Sequence, residues 1–122
     1  MKRFGLLLLV LVMAFGVTFG VAGCAKKNNQ DPVGTWTLNF DWGCDGSAAA
    51  AVWHIHSNGT FISNEGNNGN WNLKNRDEIT LNYAIGTIYG GTIDGDRMDG
   101  TMTAAGSGAT GCWTAQKTSD TP

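Results

Sequence analysis

The chain has 122 residues, room for one domain, and its eight basic and ten acidic residues leave a net charge of −2. That balance supplies no basic field of the kind that draws nucleic acid or anionic lipid. No partner of that class is expected.

Lys2 and Arg3 open the chain, an uncharged apolar stretch runs from Phe4 to Ala22, and the small residues Ala22 and Gly23 precede Cys24. Positive, then apolar, then small is the order of a secretory signal. The stretch is also about long enough to span a bilayer, so an uncleaved anchor is the competing reading. Gly5, Gly16, Thr18 and Gly20 make it a poor stop-transfer helix. Val21-Ala22-Gly23-Cys24 resembles the lipobox of bacterial lipoproteins. The resemblance implies a signal peptide over 1–23, cleavage before Cys24, a diacylglycerol on the Cys24 sulfur and acylation of the new amine. The expected partner of Cys24 is therefore a membrane. Residue 25 is alanine, not the aspartate that retains many lipoproteins at the inner membrane of some diderm bacteria. The expected location is the outer membrane, with the domain facing the periplasm or the cell surface. Cleavage removes Lys2 and Arg3 and leaves 99 residues with six basic and ten acidic side chains, a net charge of −4.

Residues 24–32 then read as the lipidated cysteine and a flexible tether. Ala25 to Pro32 is polar and without periodicity, and it spans at most ~25–30 Å. After Pro32 the period changes to two. Trp36, Leu38, Phe40 and Trp42 alternate with Thr35, Thr37, Asn39 and Asp41, the pattern of a half-buried strand. A second segment, from about Ala49 to His56, puts Ala51, Trp53 and Ile55 on one face and Val52, His54 and His56 on the other. Alanines 48–51 could start a helix, but nothing after them continues at helical spacing. Ser57-Asn58-Gly59 closes the segment as a hairpin turn would. Further strands are expected over Thr60–Ser63, Asn70–Lys74, Glu78–Tyr83, Thr87–Ile93, Arg97–Thr103 and Cys112–Lys117, and a disordered tail over 119–122. The fold class is all-β: an antiparallel up-and-down barrel of about eight short strands over 33–118, since no long crossover connection interrupts the series.

One grammar recurs along the chain. Gly34-Thr35-Trp36, Gly59-Thr60-Phe61, Gly69-Asn70-Trp71, Gly86-Thr87-Ile88, Gly91-Thr92-Ile93, Gly100-Thr101-Met102 and Gly111-Cys112-Trp113 each place a glycine, a residue expected to face out, and a large apolar residue expected to face in. Their spacing is too irregular for a solenoid.

Closure makes a prediction about the cysteines. An open meander leaves two edges that invite aggregation. In a closed one the last strand runs antiparallel to the first, so the end of strand one meets the start of strand eight. Cys44 follows the first strand and Cys112 opens the last, which brings both to one rim in a compartment where disulfides persist. A Cys44–Cys112 disulfide is expected, against the alternative of two free thiols.

Gly34-Thr35-Trp36 resembles the Gly-x-Trp signature of lipocalin-like (calycin) barrels, in which the tryptophan plugs one barrel end and a basic residue after the final strand packs across it. The resemblance implies Trp36 as plug and Lys117 as the basic residue, although this family usually has arginine there. The chain is shorter than a typical lipocalin and shows no C-terminal helix, which argues for a shallow barrel.

Candidate chemistry is sparse. His54 and His56 share a strand face, a spacing that can hold Zn²⁺ or Cu²⁺, but with Trp53 and Ile55 inward both point to solvent, and no metal is expected. Asp94-Gly95-Asp96 with Asp99 resembles part of a calcium loop that lacks its closing glutamate. Ser57, Ser63, Ser107 and Ser119 lack nucleophile-elbow context, and no phosphate-loop motif occurs. The expected class is not an enzyme and needs no cofactor. Trp42 and Trp113, near the expected disulfide, are the candidate lining of an open mouth. The expectation is a membrane-anchored binding or accessory module for a small apolar ligand. The alternative is an envelope protein-interaction module, because lipid-anchored barrels stapled between an early and a late cysteine are similar to periplasmic lysozyme inhibitors. The inhibitory serine-and-tyrosine loop of that family is not matched in Asn82-Tyr83-Ala84 or Ile88-Tyr89-Gly90.

Overall fold

The computed structural model of the protein describes residues 30–122; Cys24 and the expected signal segment 1–23 lie outside the described residues. The period-two segments form eight strands: β1 (Gly34–Trp42), β2 (Ala49–Ile55), β3 (Thr60–Ser63), β4 (Asn68–Lys74), β5 (Glu78–Tyr83), β6 (Ile88–Asp94), β7 (Arg97–Thr103) and β8 (Thr110–Ser119). Each pairs antiparallel with the next, and β8 returns to pair with β1, so the sheet closes into an up-and-down barrel. No helix occurs among the described residues. The alanines at 48–51 lead into β2 because Ala51, Trp53 and Ile55, two residues apart, are all buried. Helical spacing would have sent Trp53 away from Ala51.

Eight strands enclose an interior just wide enough for side chains to fill. Here Trp36, Leu38, Trp53, Ile55, Phe61, Ile79, Leu81, Ile93, Met98 and Met102 are almost fully buried in it. Four of the five tryptophans donate their indole N–H to a partner. Trp36 Nε1 donates to Pro32 O at 2.9 Å, Trp53 Nε1 to Tyr83 Oη at 2.7 Å, Trp71 Nε1 to His56 O at 2.7 Å and Trp113 Nε1 to Thr101 O at 2.9 Å. Gly91 and Gly100 pair with each other across β6 and β7, and Gly100 also lies opposite Trp113 on β8. A Cβ on either glycine would run into the facing backbone, so the close approach of β6 and β7 requires both.

The glycine grammar holds at six of its seven positions; Ile88 is the exception and faces solvent. The reason is parity. Ile88 and Ile93 lie in one strand, five residues apart, and a period of two cannot turn both inward. Tyr89, Gly91 and Ile93 take the inner face, and Tyr89 supplies the large inward side chain that Ile88 was expected to supply.

The barrel has two unlike ends. The base carries both described termini and the turns at 56–59, 75–77 and 95–96; the rim carries the loops 43–48, 64–67, 84–87 and 104–109. At the base Trp36 is buried, with Lys117 Nζ 5.5 Å from its ring centroid. The same ammonium donates to Asp31 O at 3.0 Å and meets Asp120 Oδ1 at 3.3 Å. Gln30 Oε1 accepts from Gly95 N at 2.7 Å, so the last residues of the expected tether are tied to the base. Ser119, expected in the tail, is the last residue of β8, and Thr121 O accepts from Thr35 Oγ1 at 2.6 Å. Gly34, at φ +145°, has room only for hydrogen where the carbonyl of Ser119 passes.

Candidate mouth at the disulfide rim

At the rim, Asp41 pairs with Cys112 across β1 and β8, and three residues further on Cys44 bonds to Cys112, with Cα atoms 5.3 Å apart. The expected disulfide is present. Cys44 is exposed and Cys112 half-buried on the outer wall, so the bridge staples the rim without entering the core. The β1–β2 loop it anchors is ordered by carboxylates. Asp41 accepts from Gly46 N at 2.8 Å and Asp45 accepts from Ser47 N at 3.0 Å. The Ser47 backbone bond, then a hydrogen bond with Asp41, holds the Asp45 carboxyl below its usual range.

Inside this rim lies a cavity of about 230 Å³. Phe40 and Trp42 come from the end of β1, Tyr83 from the end of β5 and Tyr89 from the start of β6, all at inward positions. Glu65 and Asn67 from the β3–β4 loop and Ile85 and Thr87 from the β5–β6 loop complete the wall. The alternation that fills the barrel continues to its end, but the strands stop before enough side chains arrive to close it. Trp42 is left 38% exposed and Ile85 67% exposed. Tyr83 and Tyr89 form the floor, their rings 5.4 Å apart, and both touch Trp53 or its neighbours below. Trp113, the other residue expected at the mouth, is only 2% exposed and lies one layer deeper, 5.7 Å from Tyr89 and 5.4 Å from Trp53. Phe40, Tyr83 and Tyr89 take the place it was expected to fill. Their parity was legible in the sequence; that they share one end of the barrel depends on the register between strands.

Larger depressions of about 450 and 470 Å³ lie on the outer wall, one over Gly90 beside Asn72 and Thr80, the other beside Ile62, Asn70 and Asn82. They are troughs between outward polar side chains. Ligand sites are mostly apolar concavities with a few convergent polar groups, and the mouth fits that description better.

Burial pushes the Tyr89 phenol well above its ordinary value, with smaller contributions from Tyr83 and the Glu65 carboxylate. Burial raises Tyr83 as well, opposed by the Trp53 hydrogen bond. The consequence for stability has a definite sign. Below the unfolded value, ~10, both states keep these protons and the contribution is fully present. Above it the unfolded chain ionises while the folded one does not, so stability falls as pH rises toward the folded values. Thermal melts from about pH 8 to 11 are expected to show a falling midpoint from about pH 10, with a shallower fall in Tyr89→Phe. An unchanged slope in that variant contradicts the burial of a protonated Tyr89.

The remaining candidates stay apart from the mouth. His54 and His56 lie on the outer face of β2 or just beyond it; His54 Nδ1 is 3.4 Å from Thr35 Oγ1. Asp94 ends β6, Gly95 and Asp96 form the β6–β7 turn, and Asp99 Oδ1 accepts from Thr92 Oγ1 at 3.4 Å. Among the described residues no three His, Cys, Asp or Glu side chains gather in a metal-binding group. Comparison with known protein families and with curated proteins finds no match for the chain.

Proposed function

We propose that the protein is a non-catalytic binding module of the cell envelope, held at a membrane by lipid on Cys24 and taking a small ligand with an apolar body into its disulfide-rimmed mouth. The observation that carries this reading is the mouth itself: aromatic side chains converging on about 230 Å³ at the end of the barrel opposite the described N-terminus. Gln30, six residues after Cys24, is bonded to the base. A lipid on Cys24 therefore tethers the base and leaves the mouth facing away from the membrane. The buried Trp36 under Lys117 supports the lipocalin-like resemblance, and the short strands account for a site at the mouth in place of a deep cavity.

The test is a titration of the oxidised domain with a hydrophobic probe, read by tryptophan fluorescence. A saturable change at micromolar probe is expected, weakened about tenfold in Trp42→Ala, the amount that loss of ~1.4 kcal/mol of contact produces. A flat titration overturns the reading. A second reading, an inhibitor that caps an envelope-attacking enzyme, is favoured by the apolar side chains exposed at the same end, Trp42, Ile62, Ile85 and Ile88. Protection of lysozyme substrate by the domain separates the two.

A further inference from the structure

We propose that the mouth selects a small organic cation, an alkylammonium group on a compact apolar body. This rests on the reading of the mouth as a binding site and adds the charge of its ligand. The first observation is chemical. Phe40, Trp42, Tyr83 and Tyr89 surround the space, and aromatic faces are the negative poles of ring quadrupoles, which attract cations. Among the described residues Glu65 is the one carboxylate in the wall, and no basic side chain joins it.

The second observation is the distribution of charge along the barrel axis. Carboxylates lie at both ends, Asp41, Asp45 and Glu65 at the rim and Asp31, Asp77, Glu78, Asp94, Asp96 and Asp120 toward the base, but every lysine and arginine among the described residues, Lys74, Arg76, Arg97 and Lys117, lies toward the base. At the base the chain covers its own tryptophan with an ammonium, Lys117 over Trp36. At the mouth the described chain brings none. An anionic ligand would meet the Glu65 carboxylate there, with Asp41 and Asp45 at the same end of the barrel and no counter-charge among the described residues; a cation would meet complementary charge and aromatic side chains together.

Size completes the argument. At ~30 Å³ per water-sized unit, about 230 Å³ holds a ligand of roughly eight non-hydrogen atoms. Choline, its neutral carbon analogue 3,3-dimethylbutan-1-ol, and the anion 3,3-dimethylbutanoate have that size and nearly one shape, and differ in charge.

Titrating the oxidised domain with these three, read by tryptophan fluorescence and calorimetry, tests the inference. Choline is expected to bind about tenfold tighter than the alcohol, and the carboxylate not at all. Added salt and Glu65→Gln should each bring choline down toward the alcohol. Equal affinity for choline and the alcohol, or preference for the carboxylate, overturns the cation inference and leaves the binding reading standing. If none of the three binds while the hydrophobic probe does, the cation inference alone falls; if the probe is silent too, the binding reading falls with it. Phosphatidylcholine vesicles in a parallel arm identify the source: binding to vesicles as well as to choline makes the ligand a lipid headgroup, and binding to choline alone makes it a free solute.

Discussion

Replacing Cys44 and Cys112 together by serine is expected to lower the unfolding free energy by about 4 kcal/mol. The bridge spans 68 residues, and constraining a loop of that length in the unfolded chain accounts for that magnitude in the chain-entropy model. The location of the bridge matters to the prediction. It sits on the outer wall, so its removal opens no cavity in the core, and the loss belongs mainly to the unfolded state. A small domain has only ~5–15 kcal/mol in total, and at ~4–8 °C per kcal/mol the melting midpoint should fall by on the order of 20 °C. Urea titration of the oxidised wild type against the double variant measures it. A difference under about 1 kcal/mol would mean that the unfolded chain is already compact without the bridge.

Trp53→Ala is expected to cost about as much or more, through the folded state. Trp53 is fully buried and makes edge contacts with Phe61, Tyr89 and Trp113 at centroid distances of 6.1, 5.3 and 5.4 Å. Truncating a buried tryptophan costs ~3–5 kcal/mol. Here it also removes the donor that Tyr83 Oη accepts from at 2.7 Å, at the floor of the mouth. Trp53→Phe keeps most of the ring contact and loses that bond, so its cost should be nearer ~1–2 kcal/mol. Urea denaturation of the two variants checks the order. If Trp53→Phe is as damaging as Trp53→Ala, the hydrogen bond outweighs the packing. Combining Trp53→Ala with loss of the disulfide should leave little folded protein.

Strand positions were legible because their signal is local. Thr60–Ser63, Glu78–Tyr83 and Arg97–Thr103 have the expected bounds, and the others shift by a few residues where strands fray into loops. Closure was legible from less: two cysteines at the ends of the first and last strands, together with the cost of an unpaired edge. Ile88 shows where local reading fails. Its Gly-Thr-Ile context matches the other inward positions, and only its competition with Ile93 and Tyr89 within β6 turns it out. Trp113 was expected at the mouth because it neighbours Cys112, but neighbours along a strand point to opposite sides of the wall. The cysteine faces out at the rim, and the indole enters the core beneath it.

The candidate site divides in the same way. Its residue types follow from alternation alone, since Phe40, Trp42, Tyr83 and Tyr89 each fall on an inward parity. Their meeting at one end, with Glu65 and without any described lysine or arginine, is decided by the pairing of strands far apart in sequence. Parity is a property of one strand and can be read along it. Register, depth in the barrel and the confinement of the described basic side chains to one end arise only when β8 closes on β1. The chain by itself therefore determines a strand-rich domain with a cysteine at the end of its first strand and another at the start of its last; the tertiary structure alone decides that this pair staples an aromatic, acidic mouth at the end opposite the described N-terminus.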